Sequence, residues 1–271
     1  MTTLQGSWIW YELVTNDPAG AKAFYEAVVG WTIQPGTAES NGYGFLGHPD
    51  AAKAGCGMTG GMLTLTPEMA EHGARPGWLG YIGADDCDKT VAAVEAAGGK
   101  SLMPAYDIPM VGRIALVADC CGAPFYVMTP KMPEGGADPS SSFSRELPAR
   151  CSWNELMASD AGRAIDFYTR LFGWGLPEPM DMGEWGKYQF IEHDGVGVGA
   201  IMRNFVEGVP PHWNHYFRVV DIDVAVKTIS EKGGQVVNGP HQVPTGEWIV
   251  QGHDPQGGFF CLVSAKGTKE T

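Results

Sequence analysis

The sequence predicts an α+β fold in which two copies of one domain follow each other, and three observations support this expectation. The stretch at residues 10–31 is repeated at 153–174, a shift of 153 − 10 = 143 positions. The stretch at 78–99 is repeated at 213–234, a shift of 213 − 78 = 135. In all four stretches a strand-like apolar run ends near an aspartate and a helical pattern follows, before further short strand-like runs.

The first helix of each copy has a clear beginning and a clear apolar face. Asp17 is a suitable N-cap with Pro18 at the first helical position, and Asp160 starts the second copy in the same way. Residues at helical spacing should then be buried, and they are Ala21, Phe24, Tyr25 and Val28 in the first copy and Ala164, Phe167, Tyr168 and Leu171 in the second.

The second helix of each copy is shorter and ends at a pair of glycines. Asp86 and Asp221 are the expected caps, and the expected buried positions are Val91 and Val94, or Val226 and Ile229. Later runs such as GRIALVAD and GFFCLVS are rich in β-branched and aromatic residues. The predicted order is βαβββ, four times, and the first copy carries about eight extra residues between Trp31 and Trp78 because 143 − 135 = 8.

The segment TPKMPEGGADPSSSFSREL is rich in Pro, Gly and Ser and has no apolar periodicity, which is typical of a linker. We therefore expect a first domain at residues 1–130, a linker at 131–147 and a second domain at 148–271.

The composition argues against several classes of partner. A formal net charge of -13 and a pI near 4.9 disfavour nucleic acid and anionic membranes. The N-terminal sequence shows no basic and apolar leader, and no apolar run approaches 18 residues, so a cytoplasmic protein is expected. The six cysteines lack a CxxC spacing and are interpreted as reduced, mostly buried thiols.

The helical stretches DPAGAKAFYEAVVGW and DAGRAIDFYTRLFGW resemble the D-x-x-x-(A/S)-x-x-F-Y-x-x-x-x-G signature of the vicinal oxygen chelate superfamily. That superfamily includes glyoxalase I, bleomycin-resistance proteins and extradiol dioxygenases. The resemblance covers almost the whole chain and implies two domains, each a pair of βαβββ modules whose strands form a U-shaped mixed sheet around a cleft. It says little about the reaction, because one fold hosts many chemistries.

In metal-dependent members, the resemblance implies ligands on the first strand, on the first strand of the second module and on a late strand. The matching positions hold Trp10, Gly80 and Tyr126 in the first copy and Trp153, His215 and Cys261 in the second. Only His215 is a good ligand for a hard or borderline divalent ion. We therefore expect no metal of the glyoxalase type and no other cofactor.

Side chains that alternate with Trp10 and Trp153 should face the same cleft. Glu12 and Glu155 are the polar candidates, either as general bases with a raised pKa or as hydrogen-bonded structural groups. His215 could act with Glu155, or could be a neutral histidine bonded across strands. Arg113 could bind an anionic group or pair at a strand end. The expected ligand-binding residues are Trp10, Arg113, Tyr126, Trp153, Phe217, Trp248, Phe259 and Cys261.

These residues predict a cleft with aromatic walls and few polar groups, which is typical of a small-molecule site. We expect a metal-independent protein that binds a hydrophobic or aromatic metabolite, as a monomer or homodimer. The alternative is a lyase or isomerase of the glyoxalase type that uses Glu155 and His215.

Overall fold

The computed structural model describes residues 4–48, 57–131 and 142–267. The first copy contains β1 (Trp8–Thr15), α1 (Pro18–Val28), β2 (Thr32–Gln34), β3 (Gly44–Gly47), β4 (Met58–Thr64), α2 (Pro67–Glu71), β5 (Gly77–Gly83), α3 (Cys87–Ala96), β6 (Lys100–Ile108), β7 (Gly112–Ala118) and β8 (Pro124–Pro130). The second contains β9 (Cys151–Ala158), α4 (Ala161–Phe172), β10 (Met180–Asp181), a 3-10 helix (Gly183–Trp185), β11 (Lys187–His193), β12 (Val196–Arg203), β13 (His212–Arg218), α5 (Ile222–Glu231), β14 (Gln235–Gln242), β15 (Trp248–His253) and β16 (Phe259–Ser264).

The strands form two mixed sheets of eight, and the predicted α+β class is confirmed. The hydrogen-bonded order is β2-β3-β4-β1-β5-β8-β7-β6 in the first sheet and β10-β11-β12-β9-β13-β16-β15-β14 in the second. In each module the first strand pairs in parallel with the last, as β9 does with β12, while the intervening strands pair antiparallel. The predicted order βαβββ is found four times, with α2 as an addition in the first copy.

The predicted caps begin all four long helices. The Asp17 carboxylate accepts a hydrogen bond from the backbone N–H of Gly20 at 3.0 Å, and Asp160 accepts one from Arg163 at 3.1 Å. Asp86 and Asp221 cap α3 and α5 in the same way. Each such bond satisfies a backbone donor that has no partner within the helix.

The buried helix faces match the predicted ones closely in α1 and less closely elsewhere. In α1 the buried residues are the four expected ones. In α4 Phe172 is buried in place of Leu171, and the faces of α3 and α5 begin at Cys87 and Ile222, with Val91 and Val226 only half-buried. With 3.6 residues per turn, two adjacent residues can both lie near the edge of the apolar face. The sequence pattern alone then does not decide which of the two is buried.

The eight extra residues of the first copy are divided between two places. Glu12 pairs with Gly61 and Glu155 pairs with Ala200, so the offset at this point is 200 − 61 = 139, midway between 143 and 135. Four of the extra residues therefore precede Gly61 on β4, and the other four fall in the stretch between Gly61 and Trp78, which also includes α2. Of the predicted linker, residues 132–141 lie outside the described part of the chain.

The chain packs as two compact units, and each unit takes one module from each sequence copy. Among the described residues, unit 1 comprises 4–9, 79–131 and 153–214, and unit 2 comprises 10–48, 57–78, 142–152 and 215–267. The sequence domains therefore describe the duplication, whereas the compact units describe where the contacts are made.

A buried tyrosine links the two modules of each unit. In unit 2 the Tyr25 hydroxyl donates to Asp254 Oδ2 at 2.8 Å and accepts from Trp78 Nε1 at 3.1 Å. In unit 1 Tyr168 donates to Asp119 Oδ2 at 3.1 Å and accepts from Trp213 Nε1 at 2.9 Å. Burial raises the pKa of both phenols well above the usual value, so both stay protonated as donors.

Removing one of these hydroxyls should cost measurable stability. We expect Tyr168→Phe to lower the free energy of unfolding by about 1–3 kcal/mol, because the Asp119 carboxylate and the Trp213 N–H lose a buried partner. Tyr25→Phe should have a similar effect in unit 2. Urea unfolding measures both, with Tyr106→Phe at an exposed position of β6 as the control. Equal midpoints for Tyr168→Phe and the control would contradict the linking role.

Two further findings concern membrane spans and thiols. No helix within the described ranges is long and apolar enough to cross a membrane.

The described cysteines are free thiols; Cys87, Cys151 and Cys261 are buried, and the adjacent Cys120 and Cys121 are half-buried. Cys56 lies outside the described residues.

Candidate functional site

One face of unit 1 combines a carboxylate on β9 with aromatic rings on β9 and β11. Along β9 the side chains of Trp153, Glu155 and Met157 are half-exposed, while Asn154 and Leu156 between them are buried. This alternation shows that the half-exposed set shares one face of the strand.

Strand register places the other members of this face beside Glu155. Phe190 on β11 pairs with Ala200 on β12, and Ala200 pairs in turn with Glu155. Because directly paired residues point to the same side of a sheet, these side chains lie in one row. The set Trp153, Glu155, Tyr188, Phe190 and Asn214 is called the Glu155 face below.

A chain of hydrogen bonds fixes the carboxylate on this face. Trp153 Nε1 donates to the Tyr188 hydroxyl at 2.8 Å, and that hydroxyl donates to Glu155 Oε2 at 2.9 Å. Asn214 Nδ2 donates to the other oxygen, Oε1, at 3.2 Å. Each carboxylate oxygen thus has a side-chain donor, and the two donors come from β11 and β13, on either side of β9.

The aromatic rings around Glu155 meet edge to face. The ring centroids of Trp153 and Phe190 are 6.1 Å apart at 71°, and those of Tyr188 and Phe190 are 5.5 Å apart at 77°. Such packing holds the rings in fixed orientations and leaves an apolar wall beside a negative charge. The arrangement can hold a planar molecule and accept a hydrogen bond from it, or remove a proton from it.

The first copy builds a related arrangement that is closed. Trp10 Nε1 donates to the Tyr43 hydroxyl at 2.9 Å, and the rings of Tyr43 and Phe45 are 5.3 Å apart. A Cβ on Gly61, the strand partner of Glu12, would lie 1.8 Å from the Tyr43 hydroxyl oxygen, so that phenol covers the position beside Glu12. Glu12 is accordingly only 3% exposed, which favours the structural interpretation of this residue.

The expected pairing of His215 with Glu155 differs from the structure by one residue. Asn214 donates to Glu155, so His215, the next residue of β13, points to the opposite face. His215 is buried with its ring centroid 5.0 Å from that of Tyr11, and Phe217 lies 4.4 Å from Trp78. The count from the capping aspartate placed the inward position one residue too late in the chain, at His215 instead of Asn214, and the rings of both His215 and Phe217 contact aromatic rings of unit 2.

On the late strands, Tyr126 and Cys261 pair with the residues that follow Gly80 and His215. Tyr126 on β8 stacks on Tyr81, the residue after Gly80, with centroids 4.2 Å apart and planes 16° apart. On β16, Cys261 pairs with Tyr216 on β13. Phe259, two residues before Cys261, contacts the His253 ring at 5.4 Å.

Arg113 contacts two carboxylates of its own copy, and Trp248 contacts the C-terminal segment. Arg113 makes a two-pronged ion pair with Asp88, from Nε at 2.7 Å and Nη2 at 2.9 Å, and reaches Asp107 at 3.2 Å. These hydrogen bonds, led by the one to Asp88, raise the pKa of Arg113. A Cβ on Gly267 would lie 2.3 Å from Trp248 Cγ, so the C-terminal segment covers this indole. The surface alternative for Arg113 is therefore the one that the structure favours.

The side chains at the implied ligand positions do not fit a divalent metal. Trp10 and Trp153 present indole N–H groups, which donate to tyrosines and have no lone pair to offer an ion. Among the described residues, no group of three or more His, Cys, Asp or Glu side chains is placed to hold a metal. No step of the chemistry below is therefore assigned to a metal.

Tyr188 and Asn214 were missed in the sequence, although one signal points to the first of them. The hexapeptide YGFLGH at residues 43–48 recurs as YQFIEH at 188–193, with Tyr, Phe and His at the same places. That repeat marks the aromatic pair on β3 and β11. Asn214 has no such signal, since its counterpart in the first copy is Leu79.

Comparison with known proteins identifies full-length relatives. The chain is 31% identical to the anthracycline biosynthesis protein DnrV of Streptomyces peucetius, covering 96% of this chain and 94% of that protein. It is 29% identical to "Putative glyoxylase CFP32" of Mycobacterium tuberculosis, covering 96% and 95%. The protein named DauV from Streptomyces sp. (strain C5) has a similar match at 30% identity.

Solved structures share the fold at low sequence identity. A Mn(II)-bound glyoxalase from Novosphingobium aromaticivorans superposes with a TM-score of 0.65 at 17% identity, covering 98% of this chain and 83% of that one. The 2,3-dioxygenase LapB from Pseudomonas sp. KL28 gives 0.61 at 14% identity, covering 97% and 93%. The family model matches residues 9–126 and 150–262. The chain therefore belongs to the Glyoxalase/Bleomycin resistance protein/Dioxygenase superfamily.

Proposed function

We propose that this protein binds a small planar aromatic molecule on the Glu155 face and needs no metal to do so. One observation carries the proposal: Glu155 is half-exposed, is held at both oxygens by Tyr188 and Asn214, and stands among aromatic rings. A fixed polar group in an apolar wall is the usual composition of a small-molecule site.

The aromatic walls support a planar ligand. Ring edges and faces stabilise another aromatic ring by about 0.5–1.5 kcal/mol beyond the burial of its area. Two relatives carry names that place them in anthracycline biosynthesis, and anthracyclines are planar polycyclic compounds. The chemistry of the face and those names favour the same class of ligand.

Glu155 would orient such a ligand. A carboxylate accepts hydrogen bonds from phenolic hydroxyl groups and pairs with an ammonium group. Tyr188 and Asn214 fix its direction before binding, so little freedom is lost when the ligand arrives. A ligand with a donor beside its ring system should therefore bind better than a plain hydrocarbon.

The binding test compares matched phenylalanines in the two copies. We expect Phe190→Ala to weaken binding of daunomycinone, a neutral tetracyclic probe, by about fivefold to tenfold, because a ring of the wall is lost. Phe45→Ala, its counterpart beside the closed Glu12 position, should leave the affinity unchanged. Quenching of tryptophan fluorescence measures both. Equal affinities in the two variants would count against the Glu155 face.

Removal of metals should not affect this binding. The purified protein should contain well under one equivalent of Zn, Ni, Fe or Mn by elemental analysis, and dialysis against EDTA should leave the affinity for daunomycinone unchanged. The reason is that the implied ligand positions on the first strands carry indoles, which have no lone pair to offer a metal ion. A stoichiometric metal that supports turnover of a thiohemiacetal or a catechol would refute this part of the proposal.

The positioned carboxylate also favours a second candidate, a metal-free lyase or isomerase in which Glu155 is the general base. Tyr188 and Asn214 take the place that the sequence suggested for His215. Turnover of a methylglyoxal hemithioacetal by EDTA-treated protein, abolished in Glu155→Gln, would support this candidate. Binding without turnover supports the first.

A further inference from the structure

The second copy extends the Glu155 face with methionines that the first copy lacks. Met157 on β9 pairs with Met202 on β12, and Met180 on β10 pairs with Tyr188 on β11. Since Gln189 pairs with Ile201, the next pair outward joins Tyr188 and Met202. The strand pairing thus forms a second row, called the methionine row, that consists of Met180, Tyr188, Met202 and Met157. It runs beside the row of Phe190, Ala200 and Glu155. In the first copy the pair matching Met157 and Met202 is Val14 with Leu63.

An aromatic pair lies in the two segments that follow Met180 and Met202 in the chain. Trp185, on the 3-10 helix between β10 and β11, is 56% exposed, and its ring centroid is 5.3 Å from that of Phe205 at 68°. The turn that presents it is closed by the backbone bond from Met182 N to Gly186 O at 2.8 Å. Tyr188, which bonds to Glu155, follows three residues later.

Burial accounts for Met202, which lies in the core, but not for the partly and largely exposed members of this surface. The corresponding stretches of the first copy, PGTAESNG before Tyr43 and LTPEMAEHGARP after β4, contain no aromatic residue, yet both copies build the same four-stranded half-sheet. An indole left more than half exposed contributes little burial to folding. Methionine side chains are flexible and polarisable and suit surfaces that adapt to different apolar ligands.

We infer that the methionine row with Trp185 and Phe205 is a second subsite, which holds the distal rings of the same planar ligand, and that the second copy is the binding copy. This inference rests on the proposed function. The Glu155 face would orient the proximal ring through the carboxylate, and the methionine row and the Trp185–Phe205 pair would select for the length of the ring system.

The test uses two neutral probes of different length, daunomycinone with four fused rings and 5-hydroxy-1,4-naphthoquinone with two. We expect Trp185→Ala to weaken binding of the four-ring probe about tenfold and to leave the two-ring affinity unchanged. In NMR spectra of protein labelled with [13C-methyl]methionine, the methyl signals of Met157, Met180 and Met202 should shift when the four-ring probe is added. They should stay in place when the two-ring probe is added. The signal of the exposed Met110 is the internal control.

The possible results separate the inference from the proposal beneath it. If Phe190→Ala weakens the four-ring probe but Trp185→Ala does not, or if the three methyl signals stay fixed, the subsite is refuted and the proposed function stands. If neither variant weakens binding, or neither probe binds, both are refuted. The subsite is supported if Trp185→Ala weakens binding of the four-ring probe but not of the two-ring probe, and if the three methyl signals shift with the four-ring probe.

Discussion

Gly199→Ala should lower the free energy of unfolding by about 3 kcal/mol or more, a large effect for one methyl group. A Cβ at this position would lie 1.9 Å from the carbonyl oxygen of Asn154. Gly199 and Asn154 are direct partners in the parallel pairing of β12 with β9, so the obstacle is backbone and cannot rotate away. The two strands would have to separate locally.

The same strand supplies a matched control. Around a Cβ on Gly197, the nearest atom is Trp153 Cζ3 at 3.8 Å, an ordinary contact distance. Gly197→Ala should therefore stay within about 0.5 kcal/mol of the parent protein in urea unfolding. Equal urea midpoints for the two alanine variants would show that the backbones of β9 and β12 do not approach each other as closely at Gly199 as described.

Phe217→Ala should cost about 3–5 kcal/mol, the usual range for removing a buried aromatic side chain. Its ring lies 4.4 Å from Trp78, 5.0 Å from Trp31 and 5.8 Å from Tyr11 between centroids. These neighbours belong to unit 2, and Phe217 is fully buried among them. The cavity left behind would be too well enclosed to collapse fully.

The Phe217 result also decides between two assignments of that residue. The sequence suggested a ligand-binding role, whereas its contacts place it in a core. Phe259→Ala, at a half-exposed position of β16, is the control and should cost less than half as much. Normal thermal stability of Phe217→Ala together with lost binding of daunomycinone would restore the sequence-based assignment.

The fold could be predicted almost completely because its signals are local. Capping aspartates, helical periodicity and the duplicated signature fixed the helices and the βαβββ order before any contact was known. The chain order of strands does not reveal which modules pack together, since the contacts of Tyr25 with Asp254 and Tyr168 with Asp119 span 229 and 49 residues. The compact units therefore emerged only from the structure.

The candidate site was only partly predictable. The repeat identifies the strand of Trp153 and Glu155, and the alternation along that strand puts both side chains on one face. The sequence does not identify Asn214 as the neighbour of Glu155, because an error of one residue in the count reverses which side chains of a strand face the site. Tyr188 and Asn214 reach Glu155 from other strands, and such lateral neighbours are set by register.

The buried tyrosines also bear on whether half of this chain could exist alone. A polypeptide cut in the segment between β8 and β9 would leave Tyr25 and Asp119 on one fragment and Asp254 and Tyr168 on the other. Each fragment would hold a donor whose acceptor is on the other piece, together with the apolar helix face beside it. Such fragments are built for reciprocal complementation, so the covalent link between them acts by raising their effective concentration.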